Sequence, residues 1–239
     1  MRAAESGALD AAQWQQACQQ RAVVYGWFSS LYAAELTDAQ LNAYLGGEVD
    51  GLLQGLANIG LAPESQRLQA ALHSLREVPY ARLELAADFA QAFLLDAKSG
   101  ALPYGSCYKN DAAQFCGPTE QRMRSFLAQS SLVLQDDFKE PADHLAIYLA
   151  VMVKLIEQAP QDNLRAGVQA LDQAAFLQDG LMTWLPMFAE KSRQVTTRFD
   201  VYPALAALVL AFVQHDVLFL QDVAQGDAAA SQDGNRRTS

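Results

Sequence analysis

Apolar residues recur along this chain at three-, four- and seven-residue intervals, the period of one face of an α-helix. Trp14, Cys18, Tyr25, Phe28 and Tyr32 draw the first such stripe. A second helix is predicted to open at Thr37-Asp38-Ala39-Gln40. There the Thr37 hydroxyl can accept from the amide of Gln40, the Gln40 side chain can reach back, and Leu36 can staple onto Leu41. Residues 46–60 are glycine-rich and read as a loop or a short broken helix. Pro63 then introduces a segment carrying Leu68, Leu72 and Leu75.

The segment 80–95 lines up Leu85, Phe89, Ala92 and Phe93, and Asp88 falls within or beside that stripe. A charge in such a place is paired or faces a groove. Residues 96–118 contain Gly100, Pro103, Gly105, Gly117 and Pro118 among Tyr104, Tyr108 and Phe115, a long aromatic loop of the kind that binds something. A helix over 119–129 follows, then a link at 134–140. Pro141 suits the first turn of the next helix, and Asp143 would lie near the positive end of its dipole. Residues 145–156 are apolar almost without break, which predicts a helix buried on all sides. Segments 164–191 and 202–220 complete the set, with Pro186 bending the first or ending it and starting another. No strand alternation of useful length occurs. The fold class is all-α.

Composition agrees. Of the 239 residues 51% are hydrophobic and 18% charged, which suits a globular core rather than a disordered chain. The net charge of −10 excludes nucleic acid and anionic membranes as natural partners and suits a basic one, or solubility alone. Cys18, Cys107 and Cys116 form no C-x-x-C pair, which points to a reducing compartment. No secretory signal is legible at residues 1–10. The longest apolar run, 204–213, is short of the roughly 20 residues of a membrane span. A soluble, cytoplasmic protein is expected. Residues 1–9 and 222–239 are polar and aperiodic, and are expected to stay unordered.

Chemistry is sparse. The glycines near 46–55 lack the Lys and Ser/Thr of a phosphate loop, and no H-E-x-x-H or nucleophile elbow occurs. His73, His144 and His215 stand apart from one another and from the cysteines. No metal or cofactor is expected, and the pattern is that of a binding protein rather than an enzyme.

Four segments resemble one known family. They are Ala81-Arg82-Leu83-Glu84-Leu85-Ala86-Ala87-Asp88-Phe89, then Ala101-Leu102-Pro103-Tyr104-Gly105-Ser106-Cys107-Tyr108. Glu140-Pro141-Ala142-Asp143-His144 opening an apolar helix is the third, and Trp184-Leu185-Pro186-Met187-Phe188 the fourth. Together they resemble the TorD family, the chaperones of trimethylamine-N-oxide reductase and related molybdoenzymes. The resemblance implies two closely packed helical halves, residues 10–134 and 135–221, joined at the Glu-Pro-x-Asp-His hinge and able to form domain-swapped dimers. It also implies binding of an apo reductase and its twin-arginine signal peptide, so that export waits for molybdenum cofactor insertion.

The residues this points to are Asp88, Phe89, Phe93, Pro103, Tyr104, Gly117, Pro141, Asp143 and His144. His144 could donate to peptide carbonyls, while Asp143 could set its tautomer or meet an arginine. Alternatively both only serve the helix start. Asp88 is either a receptor for a peptide guanidinium or an ion-pair partner of Arg82 or Arg122. Phe89, Phe93, Pro103 and Tyr104 border a groove or are plain core. Gly117 borders the site or is only a turn, and Cys107 and Cys116 are expected to be inert. Two other readings stay open. One is a helical small-molecule or cofactor-binding protein with residues 96–118 as its lid. The other is an enzyme using Asp143 and His144 as an acid–base pair, which requires His144 in a concave pocket and titrating near neutrality.

Overall fold

The computed structural model describes residues 9–109, 117–130, 140–158 and 166–236, with side chains to residue 228. Among these residues the ordered elements are helical, and the sole β-type contact is an isolated bridge between Tyr104 and His144. The all-α expectation holds.

Helix α1 (Ala11–Ala33) starts under a capping box in which Asp10 and Gln13 satisfy each other's amides, at 2.8 and 3.0 Å. Its whole aromatic stripe is buried. Helix α2 (Asp38–Leu45) opens on the Thr37–Gln40 box as predicted, and Leu36 and Leu41 are both buried at its entry. The glycine-rich stretch is largely helical. Helix α3 (Asp50–Leu56) passes through a π-helical turn into α4 (Ala62–His73), and Gly60 absorbs the kink with a φ of 102° that other residues rarely adopt.

Helix α5 (Ala81–Phe89) ends in a π-helical turn at Ala90–Leu94. Residues 97–109 are irregular apart from one 3₁₀ turn, Gly105–Cys107; residues 110–116 of the aromatic loop, including Cys116, lie outside the described residues, as does most of the 134–140 link. Helix α6 spans Pro118–Gln129 and α7 spans Leu145–Glu157. Pro141 is not in the first turn of α7. His144 is the N-cap and the helix starts four residues later than Pro141, because residues 143–145 are first engaged with the loop at 103–106.

Helix α8 (Ala166–Ala175) ends in another π-helical turn, and Pro186 sits in the first turn of a new helix, α9 (Leu185–Gln194). Pro186 thus starts a helix rather than bending one. Helix α10 runs from Val201 to Arg236, well past residue 221, where composition predicts an unordered tail. Packing overrides composition there. Val223 and Ala224 are buried, and the Asp227 carboxylate accepts the Gly167 amide at 3.1 Å, capping the start of α8.

The core forms around α7 and α10. Helix α1 lies along α7, while α10 packs against α4, α8 and α9, so residues from both sides of the 134/135 boundary enter one hydrophobic cluster. Residues 201–228 of α10 are long and apolar enough to cross a membrane, more so than the 204–213 run suggests. Its apolar positions are consumed inside the protein: Leu205, Leu208, Val209, Val213 and Leu220 are each at most 1% exposed.

Candidate functional site

The segment at 140–144, which leads into α7, meets the aromatic loop through its backbone. Leu145 N donates to Pro103 O at 2.8 Å, and Gly105 N donates to Asp143 O at 3.0 Å, which makes a short antiparallel pairing. The Asp143 side chain continues it by accepting the Ser106 amide at 2.7 Å. The Tyr104 ring lies edge-on to the His144 imidazole at 4.9 Å, and its hydroxyl donates to Glu140 at 2.6 Å. Residues 103–106 therefore form a strap across the N-terminus of α7.

Close packing holds the strap down. A Cβ on Gly105 would stand 2.8 Å from the Thr119 methyl and 2.9 Å from the Trp184 indole nitrogen, so only glycine fits between α6 and Trp184. Under the strap, Asp143 is fully buried and His144 is 4% exposed. Two buried polar atoms here, Asp143 Oδ1 and Ser106 Oγ, have no hydrogen-bond partner among the described residues.

His144 caps α7, with Nδ1 accepting the Ala146 amide at 3.1 Å and the ring proton left on Nε2. Burial pushes the ring's pKa down from 6.5 to about 4, against a smaller opposing pull from Glu140. The tautomer is set by the Ala146 amide, while the Asp143 carboxylate turns to Ser106 instead. A sealed imidazole that stays neutral at physiological pH does not meet the requirement for acid–base catalysis.

That burial makes stability depend on pH. Below about pH 6.5 the unfolded chain takes up a proton on His144 that the folded chain refuses until about pH 4. The stabilisation is thus complete above pH 6.5 and drains away as pH falls, on the order of 3 kcal/mol over the window. Urea unfolding at a series of pH values should show this slope in the wild type, and His144→Gln should flatten it. An equal slope in both proteins would assign it to other groups.

Asp88 lies elsewhere. It is 5% exposed and its two oxygens accept the amides of Arg198 and Phe199 at 2.7 and 2.8 Å, fixing the chain reversal that launches α10. Neither candidate ion partner meets it: Arg82 pairs with Asp38 at 3.3 Å, and the Arg122 guanidinium donates to Pro118 O. Phe89 and Phe93 are 5% and 2% exposed and stack into a chain of rings. Phe93 touches Phe89, Tyr202, Tyr32 and Phe188, and Phe188 touches Tyr108 and Trp184. That chain connects the Asp88 region to the strap as a solid wall. Gly117 is buried at the head of α6, which packs on the 105–107 turn; its φ of −78° makes no special demand for glycine.

Beside the strap is an open recess of about 510 Å³, between residues 97–108 and α9. Leu102, Cys107, Tyr108, Pro186 and Met187 line it, with Glu190 and Lys191 at one side. Met187 is 45% exposed, and Leu94 and Leu95 lie exposed just upstream of Ala97. Burial raises the Cys107 thiol to about 11, with Asp143 adding to the effect, so little thiolate forms at neutral pH. A second recess of similar size lies between α1, α3 and α10, and none of the sequence-selected residues lines it. Among the described residues no three His, Cys, Asp or Glu side chains gather as a metal site would require.

Sequence reasoning selected Pro103, Tyr104, Asp143 and His144, and the structure brings these together. It missed Glu140, Ser106 and Trp184, all of which lie inside the four family-like segments. Met187 also lies in the fourth of those segments, whereas Glu190 of the recess carries no local signal beyond an amphipathic helix.

Known proteins share this sequence over most of its length. Residues 60–190, more than half of the chain, match the family model described as nitrate reductase delta subunit. The chaperone protein TorD of Psychrobacter sp. (strain PRwf-1) is 40% identical over 217 residues, covering 90% of this chain and 98% of its own. The protein of the same name from Photobacterium profundum is 39% identical over 208 residues, covering 84% and 94%. That from Vibrio cholerae serotype O1 (strain ATCC 39541) is 38% identical over 214 residues, covering 87% and 94%.

Proposed function

The chain belongs to the TorD family of chaperones, and from that membership we propose that it is the maturation chaperone of an exported molybdoenzyme, a trimethylamine-N-oxide reductase. It binds the twin-arginine signal peptide and the apo form of the reductase in the cytoplasm. It holds back export until the molybdenum cofactor is in place. The chaperone is not itself an enzyme.

The observation that carries this reading is the open recess between residues 97–108 and α9. Its walls are Leu102, Tyr108, Pro186 and Met187, and Lys191 and Glu190, the latter paired with Arg193, stand at its side. A signal peptide is basic first and apolar after, and its apolar part complements an apolar recess on a protein of net charge −10. Of the four sequence segments that resemble the family, the second and fourth line this recess, the first joins the ring chain behind it, and the third meets the strap beside it.

Calorimetric titration with a synthetic twin-arginine leader of a trimethylamine-N-oxide reductase tests it. Binding is expected for the wild type. Met187→Asp places a charge on the apolar wall at an exposed position, so it should leave the fold intact and weaken binding by about tenfold or more. Absence of heat with the wild type would overturn the reading. Equal affinity of Met187→Asp would remove the recess from it.

A further inference from the structure

We propose that the strap at residues 103–106 occupies the place of an extended stretch of client peptide, which docks by displacing it. The inference rests on the leader-binding reading above and adds the docking edge and its mode.

The edge is the backbone of Asp143 to Leu145. It offers one acceptor, Asp143 O, and one donor, Leu145 N, at the spacing an extended strand uses, and the chain's own Gly105 and Pro103 fill them now. Any extended peptide can make these two bonds, because they involve only main chain. The Asp143 carboxylate lies beside them and is half satisfied: Oδ2 takes the Ser106 amide and Oδ1 takes nothing among the described residues. A buried carboxylate oxygen without a donor is an unstable arrangement. An arginine of a displacing peptide supplies a charged, forked donor that matches it, which the strap cannot do.

The strap is tightly packed, but its polar fastenings are few. Gly105 and Ser106 are held by one main-chain and one side-chain acceptor, both on Asp143. Ser106 Oγ gains no bond from closure. The outermost fastening is the Tyr104 hydroxyl on Glu140, at a solvent-facing position. Opening would also join the covered edge to the neighbouring recess, since Leu102 and Cys107 at either end of the strap line that recess.

Tyr104→Phe tests this, because it keeps the ring and removes only the fastening. If the closed strap competes with the peptide, the observed affinity is reduced by the fraction of molecules that are open. Losing one hydrogen bond to a carboxylate should then tighten leader binding by about threefold to tenfold. Glu140→Ala, made at an exposed position, should do the same. Hydrogen exchange supplies the second readout. Adding the synthetic leader should speed exchange at the Gly105 and Ser106 amides and leave Leu145 N protected. Wild-type binding with no tightening in either variant, or with Gly105 and Ser106 as protected as before, overturns the strap while leaving the leader reading intact. A leader that binds none of the three proteins overturns the leader reading, and the strap with it.

Discussion

Replacing Asp216 by Ala is expected to cost about 3–5 kcal/mol of unfolding free energy, the range seen when one partner of a buried ion pair is removed. The reason lies in what stays behind. Arg21 is 6% exposed, and Asp216 holds it by two bonds, 2.6 Å from Nε and 3.0 Å from Nη2. Tyr25 donates to the same carboxylate at 2.7 Å, and Gln173 takes a further Arg21 bond at 2.7 Å. The guanidinium also lies near the Trp14 and Phe219 rings, at 5.9 and 5.8 Å. Burial alone would lower the Arg21 pKa, and the Asp216 carboxylate reverses that and raises it. Without Asp216 a charged group is sealed beside aromatic rings. The double variant Arg21→Met, Asp216→Leu, which removes both charges and keeps the volume, should recover most of the loss. Urea unfolding followed by circular dichroism measures both. A single-variant loss under about 1 kcal/mol would show that water reaches the pair.

Phe93→Ala should be nearly as damaging, at about 3–5 kcal/mol. Phe93 is 2% exposed and its ring meets four others, at centroid distances from 5.2 to 6.2 Å. Removing it opens a cavity where α1, α5, α9 and α10 converge, and rigid aromatic neighbours do not collapse readily into such a space. Because this is one of the positions the family resemblance marks for client binding, the same variant separates two roles. A core residue loses stability first, and the leader affinity of the remaining folded fraction changes little. If urea unfolding is unchanged and leader affinity falls, Phe93 is a contact and the ring wall opens on binding.

Local grammar was readable in the sequence. The Thr37–Gln40 box and the α1 stripe each depend on residues within a few turns of one another, whereas Pro186 left a bend and a helix start both open. Asp88 was readable as an anomaly but not as a solution. Its partners are backbone amides 110 and 111 positions away, and amides leave no trace in residue identity. The Arg21–Asp216 pair spans 195 positions and was invisible because nothing local links the two. Pro141 misled because its local preference for a first helical turn yields to the strap, a tertiary contact with residues about forty positions earlier. The tail after residue 221 misled in the opposite sense: polar composition predicts disorder until Asp227 finds the exposed end of α8. The candidate site was thus legible where it follows from the family's motifs. The recess, made by two segments some ninety positions apart, was not.

The ion pair between α1 and α10 has a consequence for how the protein is made. Arg21 waits for an aspartate encoded 195 residues later. The Arg21–Asp216 pair closes only once residue 216 has been made, and until residues 145–157 have been made the apolar face of α1 lacks the helix that covers most of it. Long-separated contacts of this kind slow folding and leave nascent chains open to capture by others. A member of a chaperone family thus passes through an unfinished form of its own.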